Sequence, residues 1–228
     1  MNSDLRGIIR TLKKRADPRN AAGMARFGIK ARNTLGVNIP VLRAISRAHR
    51  NDHSLALRLW KTGIHEARLL AGLIDDPVKV SAIQMESWAG DFDSWDICDL
   101  VCCNLFYKTD FARRKAQEWP RRKKEYVKRA GFVLMAALAV HDKKAADRVF
   151  INFFPVIERG AVDGRNFVKK GINWALRQIG KRNPRLNRSA VMAAKRIARL
   201  DSKAARWIAS DALRELTDKK VLARLVRK

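Results

Sequence analysis

Two tryptophans and a cluster of aspartates carry most of the chemical information in this chain. In Asn166-Phe-Val-Lys-Lys-Gly-Ile-Asn-Trp-Ala-Leu-Arg-Gln-Ile-Gly180, the residues Val168, Ile172, Ala175, Leu176 and Ile179 recur at helical spacing and define an apolar face. Trp174 lies two residues past Ile172, about 200° round the helix. Its neighbours there are Lys170, Gly171, Arg177 and Gln178. A large ring among cations, beside a glycine that permits close approach, suits a nucleic-acid surface. The cations neutralise phosphate and the ring stacks on a base or sugar. The alternative is a tryptophan covered by a neighbouring helix.

The aspartates lie in Asp93-Ser-Trp-Asp-Ile-Cys-Asp-Leu-Val-Cys-Cys-Asn-Leu105. Cys98, Val101, Cys102 and Leu105 form its core face. Trp95 and Asp99 are then i, i+4 partners on the adjoining flank, with Asp96 one turn from Asp99. A carboxylate beside an indole at the core margin is either reactive or structural, in an ion pair or a cap. Arg129 is the third conspicuous charge. It stands among Tyr126, Phe132 and Val133 at the head of the core run Phe132 to Val140. There it either snorkels to solvent or anchors an anion, and phosphate fits its planar fork.

The elements that must position these residues read as helices throughout. Pro40 and Pro77 suit first turns, Thr109, Asp163 and Asp201 suit N-caps, and Gly160 and Gly180 suit helix ends. No strand or hairpin signal stands out. Segments beginning at Val127, Val168 and Ala205 share a pattern of small, apolar and basic residues, at a period near the ~40–47 residues of HEAT-type helix pairs. The expected fold is all-α: a curved HEAT-like helical repeat solenoid with a concave basic groove, forming a single domain over 1–228. The recurring cations Arg68, Lys128, Lys169 and Arg206 would line that groove. Residues 218–228 read as a terminal capping helix with a basic side.

Composition narrows the partners. The 228 residues carry 49 Lys+Arg against 22 Asp+Glu, a formal net charge of +27. Such an excess is tolerated best beside a polyanion, with nucleic acid ahead of an anionic membrane surface. A hydrophobic content of 47% excludes a basic disordered tail. The N-terminus lacks a signal-peptide layout, and the longest uncharged apolar run, Ala130 to Val140, is too short to span a bilayer. Cys98, Cys102 and Cys103 sit too close together for a disulfide framework and show no zinc spacing, so they read as packing residues in a reducing cytoplasm. His49, His53, His65 and His141 read as surface or capping residues. No metal or cofactor is expected.

Four blocks, in order, resemble the AlkD-type DNA alkylation repair glycosylases, HEAT-like proteins that excise alkylated purines. They are Gly23-Met-Ala-Arg-Phe-Gly28 with Leu35-Gly-Val-Asn-Ile-Pro40; Ser94-Trp-Asp-Ile-Cys-Asp99; Lys128-Arg-Ala130; and Phe167 to Arg177 with Lys181-Arg-Asn-Pro184. The resemblance implies that Asp99 is the catalytic aspartate, that Trp95 and Trp174 flank the lesion nucleotide, and that Arg129 helps to hold the DNA. Asp96 is implied in a supporting role. Phe27 stands where a tyrosine is expected, which removes any contact that its hydroxyl would make. Lys128, Lys169, Lys170, Arg177, Asp96 and Phe27 are the further DNA-contact candidates.

An N3- or N7-alkylated purine is already cationic, so its departure needs no strong acid. One carboxylate can stabilise the oxocarbenium-like sugar and place water on it, with indole faces beside the developing cation. No lysine suggests a Schiff base, so an abasic site is the expected product. The resemblance also implies that no base-flipping pocket is used, unlike most glycosylases. The expected partner is double-stranded DNA carrying alkylated purines, met by a cytoplasmic, nucleoid-associated monomer without membrane contact. Two rivals remain: a catalytically inactive HEAT-like nucleic-acid-binding protein, and a scaffold whose basic groove takes an acidic protein.

Overall fold

The computed structural model describes residues 3–29 and 33–226, which gather into two compact units, 1–110 and 111–228. The first contains α1 (Ser3–Lys14), α2 (Pro18–Met24), α3 (Ile39–Ser46), α4 (His53–Lys61), α5 (His65–Ile74), α6 (Ala82–Gly90) and α7 (Trp95–Asn104). The second contains α8 (Ala112–Glu118), α9 (Glu125–His141), α10 (Asp147–Ile151), α11 (Phe154–Gly160), α12 (Asn166–Gly180), α13 (Pro184–Ala198), α14 (Lys203–Leu216) and α15 (Lys219–Val226). Short 3₁₀ turns join several of them, and no strand occurs among the described residues. None of these helices is long and apolar enough to cross a membrane.

Local chemistry sets most helix starts. Asn38, Asp52, Ser81, Asn183 and Ser202 each accept a backbone N–H of the first turn. Pro40 sits in a first turn, and Gly160 and Gly180 close α11 and α12, as the sequence suggests. Four expectations shift. Pro77 lies in the turn between α5 and α6. Thr109 bonds back to the Phe106 carbonyl, closing the 3₁₀ turn before it. Asp163 takes the N–H of Arg165, ahead of α12. Asp201 pairs with Arg206 while its neighbour Ser202 caps α14. A capping side chain competes with its neighbours for the same orphan donors, and one residue of offset changes which reaches them.

The repeat is visible in bonds between helices. In the first unit, Leu35 to Glu66, Trp60 to Asp91 and His65 to Asp96 all span 31 residues. In the second, Arg129 to Phe167, Asn173 to Asp211, Arg177 to Glu215 and Glu158 to Arg196 all span 38. Equivalent positions of successive repeats therefore touch, which is how a stacked helical array differs from a bundle.

The second unit is built on α9. Every residue from Ala130 to Ala139 is buried on it, and each large aliphatic or aromatic side chain so removed from water contributes about 1.5–3 kcal/mol. Gly131 permits the packing: a Cβ there would lie 2.3 Å from Pro120 Cδ. In the first unit Trp60 and Trp88 stack at 4.0 Å, with Phe92 and Phe106 around them.

The loop before α3 is held by a buried carboxylate. Glu66, on α5, accepts the N–H groups of Leu35, Gly36 and Val37. Gly36 has φ +80°, and a Cβ would sit 2.1 Å from the Asp17 carbonyl oxygen. Glu66→Gln should lower stability by about 2 kcal/mol, the scale of hydrogen bonds to a charged group. A urea titration followed by circular dichroism reads this, and an unmoved midpoint would show that the loop does not depend on the charge.

Candidate nucleic-acid interface and active site

The first unit carries Phe27, Trp95, Asp96 and Asp99. Helix α7 buries Ile97, Cys98, Val101 and Cys102, and leaves Trp95, Asp96 and Asp99 half-buried on the other flank, as their spacing predicts. Trp95 donates its indole N–H to the Phe27 carbonyl at 2.9 Å. That bond fixes the ring beside Phe27, whose own side chain is 70% exposed.

Asp96 turns inward. Its Oδ2 lies 2.8 Å from Nε2 of His65, an imidazole with 1% exposure. Burial alone would raise the Asp96 pKa, but the bond and charge of His65, Ser94 and the Ile97 N–H outweigh it and hold it below the usual range. A carboxylate so committed ties α7 to α5. His65 is likewise a buried partner and not the surface residue that its place in the sequence suggests. The signal was available at the 31-residue interval between His65 and Asp96.

Burial, and after it the neighbouring Cys98, push the Cys102 thiol well up. Cys102 therefore stays neutral on the core face of α7. None of the three cysteines is in a disulfide, and Cys98 and Cys102 are buried. No cluster of metal-ligating side chains occurs among the described residues.

The second unit carries the other candidates. Trp174 is half-buried on α12 and Lys170 is exposed one turn before it. Arg129 does not reach solvent. It is 6% exposed, and its guanidinium donates to the Phe167 carbonyl in the first turn of α12. Gly171 faces it, and a Cβ there would only touch Arg129 Cγ, at 3.4 Å. Lys128 pairs at 3.0 Å with Asp163, whose carboxyl is held far below its usual range chiefly by Arg165.

Arg177, expected to face phosphate, is joined instead to Glu215 and Asp211 of α14. Among the recurring cations, Arg68 lies over Trp60 and near Asp93, and Arg206 pairs with Asp201. Counting charges in the sequence cannot show which are already partnered. Lys169 lies 4.7 Å from the centroid of Trp207, a ring 40% exposed on α14 between Lys203 and Arg206 and the next turn of the helix. This exposed cation–aromatic pair escaped the sequence reading. Its signal is another tryptophan off its helix's apolar face of Ala205, Ile208, Ala209 and Ala212.

These features meet the comparisons with known proteins. Residues 8–216 match the family described as DNA alkylation repair enzyme, and the chain belongs to that family. A solved structure superposes with a TM-score of 0.76 at 19% identity, covering 93% of this chain and 96% of the other. That protein is described as one of a new family related to the HEAT-like repeat DNA glycosylases, with affinity for branched DNA structures. The likeness establishes the HEAT-like fold. No curated protein matches the sequence.

Arg129→Ala should lower stability by about 2 kcal/mol, because the Phe167 carbonyl loses a charged donor inside the packed α9–α12 interface. Trp207→Ala should cost stability by about 1 kcal/mol at most, the worth of its exposed cation–π contact with Lys169, and weaken duplex binding about fivefold through the lost ring face. Thermal melts paired with binding isotherms check both; a stable Arg129→Ala protein with weakened DNA binding would reverse the assignment of Arg129.

Proposed function

We propose that this protein is a monofunctional glycosylase that hydrolyses the N-glycosidic bond of cationic alkylated purines, 3-methyladenine and 7-methylguanine, in duplex DNA. One observation carries the reading: Asp99 shares the less buried flank of α7 with Trp95, in a chain of formal charge +27. A carboxylate kept on the open side of a helix in so basic a protein costs attraction for phosphate. It is repaid where positive charge develops on a sugar. In this reading Asp99 stabilises the oxocarbenium-like sugar and orients water, while Trp95 and Trp174 present ring faces to it. Lys169, Lys170 and Trp207 contact the backbone. Arg129 and Asp96 position helices, and the lesion's own charge supplies selectivity without a base pocket. The protein acts as a cytoplasmic monomer that leaves an abasic site.

A second reading, a non-catalytic binder of branched DNA, is favoured by the described affinity of the structural relative. Release of 7-methylguanine from methylated duplex separates the two. Asp99→Asn should cut single-turnover release about a hundredfold, on the scale of losing one electrostatic stabiliser, while duplex affinity is kept. Equal release by wild type and variant would remove Asp99 from the chemistry. No release by either, with junctions bound more tightly than duplex, would establish the binder. Affinity for duplex should also fall steeply with salt as counterions return to the DNA. A flat dependence would point to a protein partner.

A further inference from the structure

The second unit contains a cavity of about 610 Å³ lined by residues of α15 and of the C-terminal ends of α9 and α12. Its charged lining is wholly cationic: Lys143, Lys181, Arg182 and Arg224. Its remaining wall includes the apolar side chains of Val140, Val221 and Leu225. Gln178 also lines it, one turn past Trp174 on the same face of α12.

The cations divide into two kinds. Arg182 is fixed in place: it donates to the carbonyls of Ala139 and Ala145, and its guanidinium stacks 4.0 Å from the Phe150 ring centroid. Lys181 is bonded to Glu215. Lys143 and Arg224 are exposed and form no ion pair among the described residues. The carboxylates nearby are already engaged, Asp142 by Arg113 at 2.7 Å and Asp147 by Asn183 at 2.8 Å. A cavity of this size, with an apolar wall and convergent charge of one sign, fits a small amphipathic anion.

We propose that this cavity binds a nucleotide, with its phosphate between Lys143 and Arg224 and its base against Val140, Val221 and Leu225. Arg182 supplies the fixed positive charge of the floor, where Lys181 is already engaged by Glu215. The nucleotide is either free or the unpaired end of a DNA strand, and the chemistry recognised is the same. Neither glycosidic cleavage nor Asp99 takes part.

The test uses the full chain and the Lys143→Ala/Arg224→Ala variant, both positions being exposed. One arm titrates 2′-deoxyadenosine 5′-monophosphate by calorimetry. The other compares undamaged blunt duplex with the same duplex carrying a 5′-phosphorylated single-stranded overhang. Free-nucleotide binding that falls at least tenfold in the variant supports the site and identifies a free ligand. A preference for the overhang that the variant loses supports the site and identifies a strand end. Equal behaviour of the two proteins, or no binding preference in either arm, overturns it. Val221→Asp gives an independent check, because a carboxylate on the base wall should abolish binding while the helical spectrum is retained. All these substrates lack lesions, so a failure here is separate from a failure of excision.

Discussion

The parallel alignment of α12 and α14 governs the second unit. Lys169 meets Trp207, Asn173 meets Asp211 and Arg177 meets Glu215, one rung per turn at a constant interval of 38 residues. Stacking the helices in this register buries Ile172, Leu176, Ile208 and Ala212 beneath the polar rungs. Each rung is modest by itself, since partly exposed ion pairs are worth little. Together they forbid a slip of one helix past the other, because any slip would leave several partly buried charges without partners. The rungs also spend cations. Arg177 and Lys181 both serve Glu215, whose carboxyl they hold below its usual range against the cost of burial.

The first unit uses carboxylates for the same purpose at a shorter interval. Glu66 gathers three backbone N–H groups of one loop, and Asp96 reaches back from α7 to His65 on α5. Neighbouring residues then divide the work. His65 and Glu66 face inward as anchors, and Asp96 is consumed by an anchor. Asp99, one turn later on α7, shares the outer flank with Trp95. The same residue type thus turns inward to a partner helix at Asp96 and lies half-buried on the outer flank at Asp99, according to which way the helix face points.

Much of this was legible in the sequence because helical periodicity is a local property. The apolar face of α12, the core run of α9 and the flank shared by Trp95 and Asp99 all follow from spacing within one helix. Charge was harder to read. Arg129, Arg177, Lys128 and Asp96 all look available in a one-dimensional list, and all find partners 31 to 38 residues away. Those partners depend on the repeat interval, which composition and local pattern leave loose by several residues. Trp207 stands off the apolar face of its own helix, a local signal, but its pairing with Lys169 depends on how α14 lies against α12.

One bond near the candidate chemistry has a wider consequence. With its indole N–H engaged by the Phe27 carbonyl, Trp95 has no donor left with which to read the edge of a purine. What it can still offer is a flat, polarisable plane, indifferent to whether adenine or guanine lies beside it. In the proposed glycosylase reading that tether gives breadth across damaged bases, and freeing the ring nitrogen would add a donor able to discriminate between them.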